Sequence, residues 1–415
     1  MNRINLRISV ACIFLILFPG CGASVNYHLN SGGHRVRTGI EKFVNGPVKK
    51  YPGKKAALVT NHSGYDFDLR QNVQLLRDKG VAVSFILAPE HGIYGYKNDI
   101  DYHPVTFDRN INCYIYNLLG INRNTLRYLV QQTDIVIFDI QDMGMRCYTY
   151  ITNLKDIMDA MDGLDRELIV LDRPNPVGFL GIDGSFLEKR FTTRYVSAFP
   201  APFLYDMTIG EAARYYRGEF RPKVKLRVIP MGRYSRRMLF NKTRLPWIPP
   251  SPNLPTYESS IVYTAIVLME GINLSLGRGT TKPFEYIGAP WIEPVSFCKK
   301  LEELGLENFR FKPVYFKPTF SKYENMRCGG AQIFYTGGGF SPTEAAYRII
   351  GAIMKHYPQF AQWVQFGPFY DIDGLAGTDR FRVFIQAGRS WEEFKKEIVP
   401  GLKAYKKKRR KYTLY

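Results

Sequence analysis

Residues 134–150 read D-I-V-I-F-D-I-Q-D-M-G-M-R-C-Y-T-Y, an apolar run at 135–138 bounded by acids. Such a run is the mark of a short buried strand. It delivers Asp139, Gln141, Asp142, Arg146, Tyr148 and Tyr150 in quick succession. A core strand does not tolerate that set unpaired, because each buried polar group left without a partner costs free energy. In an open α/β sheet, ligands bind outside the carboxyl ends of the strands. This segment is therefore read as a strand whose end faces a ligand cleft, with the remaining chain bringing further polar groups to the same edge.

Three other segments repeat the pattern. Residues 56–59 lead into Thr60-Asn61-His62, and 81–87 into Pro89-Glu90-His91-Gly92. Residues 168–171 lead into Asp172-Arg173-Pro174-Asn175. Helical patterns over 68–79, 124–132 and 153–162 lie between them. Strands alternating with helices of this length predict an α/β fold with a parallel sheet and right-handed crossovers. Asn61, Glu90, Asp139 and Asp172 then become spatial neighbours. No G-x-G-x-x-G opens a helix after the first strand, and neither a P-loop nor a G-x-S-x-G elbow occurs. A dinucleotide is thus unsupported, and no cofactor is implied.

Downstream, Thr208 and Glu211 form a capping box that opens a helix. The stretch 246–255, P-W-I-P-P-S-P-N-L-P, contains five prolines and excludes helix and central strand. A loop so stiff offers Trp247, Ser251 and Asn253 with little entropy left to lose on binding. Residues 271–285, G-I-N-L-S-L-G-R-G-T-T-K-P-F-E, place Asn273, Arg278 and Thr280 in a glycine-rich segment. This suits either a backbone cradle with one fixed cation or a tight structural turn. The last third reads as a smaller α/β or α+β unit. It has helices over 294–304 and from Ser341-Pro342 to His356, strands over 309–316 and 331–335, and a basic amphipathic helix over 391–408.

The 415 residues are long enough for two domains, and 45% hydrophobic with 23% charged residues is a globular composition. Near the N-terminus, Arg3 and Arg7 precede an apolar run at 8–18 that is too short to span a bilayer comfortably. The following F-P-G-C resembles a lipobox, which makes Cys21 a lipidation site; a plain secretory signal is the alternative. Residues 1–21 are read as the signal, 22–37 as a tether, 38–260 as the sheet domain with the cleft and 261–415 as the C-terminal domain. The protein is expected to be exported and held at a membrane through its lipid. Cys113, Cys147, Cys298 and Cys328 match no C-x-x-C metal pattern, although export permits disulfides. The net charge of +20 and the run K-K-K-R-R-K at 406–411 point to an anionic membrane or wall polymer rather than nucleic acid, or to a solvated tail. Oligomeric state is left open.

Glu90, rigidly placed between Pro89 and His91-Gly92, is the first candidate acid. Glycoside hydrolysis ordinarily needs one carboxyl as proton donor and a second group as base or nucleophile. Asp139 and Asp172 are the candidate partners, and their alternative role is structural pairing with Arg146 or Arg173. His62, His91, Asp139 and Asp142 form a minority metal set without H-x-x-x-H or H-x-H spacing, so no metal is assigned.

T-N-H-S-G, P-E-H-G, D-I-Q-D-M-G-M-R-C-Y-T-Y, L-D-R-P-N-P, M-T-I-G-E, P-P-S-P-N-L-P and E-G-I-N-L-S-L-G-R-G-T-T-K-P-F-E-Y-I-G-A-P-W occur in this order. Together they resemble the bacterial exo-β-N-acetylmuramidases over roughly residues 38–410. The resemblance implies a Rossmann-like N-terminal domain, a smaller C-terminal domain and a cleft between them. It also implies release of N-acetylmuramic acid from the non-reducing end of peptidoglycan fragments, with Glu90 as a catalytic candidate. Arg146, Arg173 or Arg278 would bind the lactyl carboxylate in fork geometry, and Tyr148, Tyr150 and Trp247 would stack on sugar faces. Asn61, His91, Gln141, Asn175, Ser251, Asn253, Asn273 and Thr280 complete the expected substrate contacts. Three places depart from the family pattern: Leu276 where an acid is usual, Asp206 where a histidine is usual, and residues 94–112. These departures give the alternative of a muropeptide-binding protein that has lost catalysis; a metal-dependent hydrolase is a weaker third reading.

Overall fold

The parallel sheet foreseen from the apolar runs is present and larger than four strands. A computed structural model describes residues 35–46, 51–96, 103–192, 196–220 and 223–415. Cys21, the signal and the tether up to His34 lie outside the described residues. In the first half, the order is α1 (Gly39–Asn45), β1 (Lys55–Thr60), α2 (Asn72–Asp78), β2 (Ala82–Ala88), β3 (Val105–Asp108) and β4 (Cys113–Asn117). It continues with α3 (Arg123–Gln131), β5 (Ile135–Asp139), α4 (Tyr150–Met161), β6 (Glu167–Leu171), β7 (Asp183–Phe186), β8 (Pro202–Leu204), α5 (Ile209–Glu219) and β9 (Lys225–Ile229).

The main sheet has seven strands in the order β3-β4-β2-β1-β5-β6-β9. Every pairing is parallel except β3 with β4 at the edge. Near-continuous apolar strands suit such a sheet, because helices cover both of its faces. Alternation along each strand sorts the side chains. Ala56, Leu58, Ile137 and Ile169 pack with Ile40, Phe43 and Val44 of α1 and Val73 and Leu76 of α2. Ala57, Val59, Val136, Phe138 and Val170 point the other way, onto α3, α4 and α5.

The second half contains α6 (Tyr257–Ile266), β10 (Tyr286–Ala289), α7 (Pro294–Glu302), β11 (Phe309–Phe316), β12 (Cys328–Tyr335) and α8 (Pro342–His356). The short strands β13 (Gln365–Phe366) and β14 (Phe369–Tyr370) follow, then α9 (Asp371–Ala376), α10 (Arg380–Gln386) and α11 (Trp391–Arg409). Its sheet, β10-β12-β11, is antiparallel. Arg35–Tyr415 forms one compact unit, and the larger apolar cluster runs through both halves, from Ala57 to Tyr405. The last turn of α11 and the residues after it lie against the first half rather than in solvent. Arg409 pairs with Asp206 at 3.1 Å, Tyr412 Oη donates to Glu219 at 2.8 Å, and Tyr415 Oη donates to Asp172 at 2.8 Å. The four body cysteines are buried free thiols. Among the described residues, no helix is long and apolar enough to cross a membrane.

Candidate active site

The ends of the central strands are polar, as the pattern requires, and most of their side chains bind one another. Asp139, closing β5, accepts from Arg173 Nε at 2.6 Å, Arg173 Nη2 at 3.0 Å and Asn72 Nδ2 at 2.8 Å. Asp172, after β6, accepts from Thr208 Oγ1 at 2.7 Å and the Gly210 N–H at 2.8 Å at the start of α5, and from Tyr415 Oη. Burial pushes its carboxyl up from 3.8 to about 7. Both carboxylates are fully buried. With no exposed surface and several hydrogen bonds from neighbouring elements, they are structural groups rather than the catalytic ones expected from the sequence.

Several expected substrate contacts are likewise occupied within the fold. Arg146 is fully buried, and its Nη2 donates to the Leu375 carbonyl at 3.1 Å across the two halves. Gly377, at φ +77°, lies so close that a Cβ there would sit 2.4 Å from Arg146 Nη1. Arg173 is spent on Asp139 and on the Tyr65 carbonyl. Asn61 Nδ2 donates to Tyr150 Oη at 2.8 Å while its Oδ1 accepts from Ser63. Gln141 donates to the carbonyls of Asp142 and Pro174, and Asn175 to that of Met207. Asn273 bridges the backbone of Phe360 and Gln362, and Thr280 turns back onto the Gly277 carbonyl. Asn253 is buried with its N–H on Ser251 Oγ, and Trp247 donates to the Leu254 carbonyl.

A cavity opens beside this network, not above its centre. Its inner part, about 120 Å³, is lined by Glu90, His91, Tyr148, Tyr150, Ser251, Tyr263, Glu270, Arg278 and Phe284, among others. It shares Val196, Glu270, Arg278 and Leu375 with an adjoining outer cavity of about 980 Å³, whose wall also includes Leu276, Lys322, Tyr370 and Asp371. Glu90 reaches it because β2 ends in a sharp turn: His91 at φ +70° and Gly92 at φ +71° are both left-handed. Its carboxylate accepts from Thr149 Oγ1 at 2.9 Å, immediately before α4. The helix expected over 153–162 begins three residues earlier, at Tyr150. Ser251 Oγ lies 3.2 Å from His91 Nε2, which fixes the proline-rich loop against this turn.

Aromatic rings form the inner wall. Tyr148 packs edge-on to Tyr150 at 4.8 Å and to Tyr263 at 6.3 Å, and Tyr263 in turn to Phe284 at 4.6 Å. Burial raises the phenol pKa of all three tyrosines, with the charge of Glu90 adding to the shift at Tyr150 and Tyr263. They remain neutral hydrogen-bonding groups. Cys147 also lines the cavity, but burial pushes its thiol up to about 12, so it is no nucleophile.

Sequence reasoning missed the second carboxylate. Glu270 lies on the 3₁₀ turn Val267–Gly271 and pairs with Arg278 at 2.5 Å. The Arg278 guanidinium also sits over the Phe284 ring at 4.8 Å. Lys322 Nζ donates to the carbonyls of Glu270 at 2.7 Å and Ile272 at 2.6 Å, clamping the turn that carries the acid. The available signal was the Glu that opens E-G-I-N-L-S, which ends no apolar strand. Of the departures, Leu276 does stand in the cavity wall. Asp206 is buried at φ +48° and paired with Arg409 and Arg237, away from the cavity lining. The minority metal set is not assembled. His62 meets the Pro249 carbonyl, Asp139 is held by Arg173, and Asp142 takes the Tyr205 phenol and the Gly144 N–H. Among the described residues, no group of three or more His, Cys, Asp or Glu side chains is arranged to hold a metal.

A parallel α/β sheet with a sealed centre, and two carboxylates on the wall of an adjoining deep cavity, defines a protein built for acid–base chemistry on a polar ligand. Comparison with known proteins gives the family. Residues 56–258 match the N-terminal and 261–415 the C-terminal model of the exo-β-N-acetylmuramidase NamZ, so the chain belongs to the NamZ family. It is 36% identical over 383 residues to the peptidoglycan β-N-acetylmuramidase NamZ of Bacillus subtilis strain 168, covering 92% of each chain. Two crystal structures of DUF1343 family proteins from Bacteroides fragilis share the fold. One has a TM-score of 0.83 at 29% identity, the other 0.71 at 30%; each alignment spans 92% of this chain and 99% of the other.

Proposed function

We propose that this protein is an exo-acting glycosidase that releases N-acetylmuramic acid from the non-reducing end of peptidoglycan fragments. Glu90 carries the reading: in a chain of the NamZ family, it presents a carboxyl to the inner cavity, oriented by Thr149. In this reading Glu90 gives its proton to the glycosidic oxygen as the bond to the sugar breaks, and water supplies the hydroxyl of the released muramic acid while its remaining proton returns to the carboxylate pair. Glu270 replaces Asp139 and Asp172 as the second carboxylate, placed by Arg278 and Lys322. The guanidinium N–H groups of Arg278 not used by Glu270 suit the lactyl carboxylate. Tyr148, Tyr150 and Tyr263 shape the pocket, and His91 and Ser251 fix its rim.

The assay offers the folded protein muramyl-glucosamine disaccharide and a chromogenic muramide. Release of N-acetylmuramic acid from both is expected, and no release from either sinks the proposal. A second reading, a muropeptide-binding protein without turnover, is favoured by the apolar Leu276 in the outer wall. Calorimetric binding with no hydrolysis selects it, and Leu276→Glu would then restore turnover.

The same proposal includes export and lipidation at Cys21, supported by the basic residues Arg3 and Arg7, the apolar run 8–18 and F-P-G-C. Labelled palmitate incorporated by the parent and not by Cys21→Ser is the expected result. Equal labelling of the two overturns it.

A further inference from the structure

We propose that the basic face of α11 docks the protein onto an anionic lipid bilayer. Lys403, Lys406, Lys407 and Arg410 are all exposed. Their spacings of three and four residues put them on one side of the helix. The opposite side is buried through Phe394, Tyr405 and Arg409. Of the neighbouring charges, Lys408 pairs with Glu219, Arg409 with Asp206 and Lys395 with Glu392. Among the described residues, no acid pairs with Lys403, Lys406, Lys407 or Arg410. In a chain of net charge +20, this is a cationic stripe without an internal counterpart.

A second observation selects the bilayer as the occupant. Val36, near the start of the compact unit, packs with Met231 and Tyr234 against Tyr415. Its N–H donates to the Thr243 carbonyl at 3.0 Å. Tyr415 stands five residues beyond Arg410, a span of at most about 18 Å of chain. The polypeptide leading from Cys21 therefore joins the folded unit beside the basic end of α11. Fourteen residue steps separate Cys21 from Arg35, which limits the distance to about 50 Å. A lipid on Cys21 would keep this face within reach of the membrane without fixing it there. That step rests on the export reading above, but the charge complementarity does not. Each basic residue near an anionic bilayer surface is worth about fivefold in partitioning. The stripe thus sets the orientation of a molecule that the lipid alone would leave free to tumble on its tether.

The test uses a chain starting at Gly22, because Arg35–Tyr415 contains the whole described core and the lipid must not contribute. Sedimentation with phosphatidylglycerol-rich vesicles is expected to bind it at least about tenfold more tightly than pure phosphatidylcholine vesicles, and added salt should erase the difference. Combining Lys403→Gln, Lys406→Gln, Lys407→Gln and Arg410→Gln should reduce binding to the phosphatidylcholine level. Melting temperature and disaccharide hydrolysis should stay at parent values. Equal binding to both vesicles, or undiminished binding by the fourfold variant, overturns the proposal. So does tighter binding of soluble polyglycerol phosphate than of the vesicles, which would make a wall polymer the partner. If the full chain takes up no palmitate while the chain from Gly22 still binds the vesicles, the anchor reading fails and the docking face stands.

Discussion

Two acidic pairs lie near the carboxyl edge of the same sheet, and they are satisfied in opposite ways. Asp139 and Asp172, at the ends of central strands, take their partners from Arg173, Asn72, Thr208, Gly210 and Tyr415. Glu90 and Glu270 each have a protein partner too, Thr149 and Arg278, yet both line the cavity. The first pair ties the C-terminal residues and α5 to the sheet; the second faces a ligand. Position at a strand end brings polar groups together without deciding which of them does chemistry. What separates Glu90 from the first pair is the backbone beyond the strand. The left-handed turn at His91-Gly92 swings Glu90 out from the edge, whereas Asp139 and Asp172 continue straight into the frame.

The largest expected effect follows from that division. Glu90→Gln keeps the hydrogen-bonding shape but removes the transferable proton. It should lower kcat about a thousandfold, within the range for losing a general acid, with melting unchanged within a few degrees. Near-parent turnover would place the proton donor elsewhere. Asp139→Ala tests the other pair. Breaking a buried ion pair on one side leaves the Arg173 charge unmatched and costs about 3–5 kcal/mol of stability. Turnover per folded molecule should stay close to the parent's, and a thousandfold loss with normal melting would reverse the assignment. Glu270→Gln should fall between them, lowering kcat about a hundredfold, with the loss showing as kcat rather than KM. Unchanged kinetics would return Glu270 to a role limited to holding Arg278.

Much of the frame was legible from local pattern, because a buried parallel strand requires an apolar run and a crossover helix requires a repeat near 3.6 residues. The run at 168–171 became β6 at Glu167–Leu171, and the capping box at Thr208 and Glu211 opens α5. Glu90 could be chosen because its neighbours Pro89 and His91-Gly92 announce a turn. Arg146 could not be read correctly. The carbonyl that binds it belongs to Leu375, 229 residues away, and no local signal specifies so distant a partner. Glu270 was hidden for a related reason: it sits on a 3₁₀ turn that has neither strand nor helix periodicity. The basic run at 406–411 looked like a free tail, since the aromatic anchors that pin it, Tyr412 and Tyr415, find their acceptors on the first half.

The smallest effect concerns what the sealed pair costs the fold, and its sign follows from burial. Burial lifts the Asp172 carboxyl from 3.8 to about 7, against the hydrogen bonds of Thr208, Gly210 and Tyr415 and with the charge of Glu211 adding to the rise. The native state therefore keeps a proton that the unfolded chain has already lost. Stability from this group is fully present below about pH 4, declines as pH rises to about 7 and is level beyond. A shift of that size corresponds to at most about 4 kcal/mol. Asp172→Asn is uncharged throughout but loses one accepting oxygen, at about 1–3 kcal/mol. The variant should therefore melt below the parent at pH 4 and recover by roughly 2 kcal/mol, a few degrees, on going to pH 8. A melting difference that stays constant across that window would mean that Asp172 is ionised in the folded protein at every pH tested. The sealed network would then hold a charge in place of a proton, and its contrast with the cavity carboxylates would rest on hydrogen-bond partners alone.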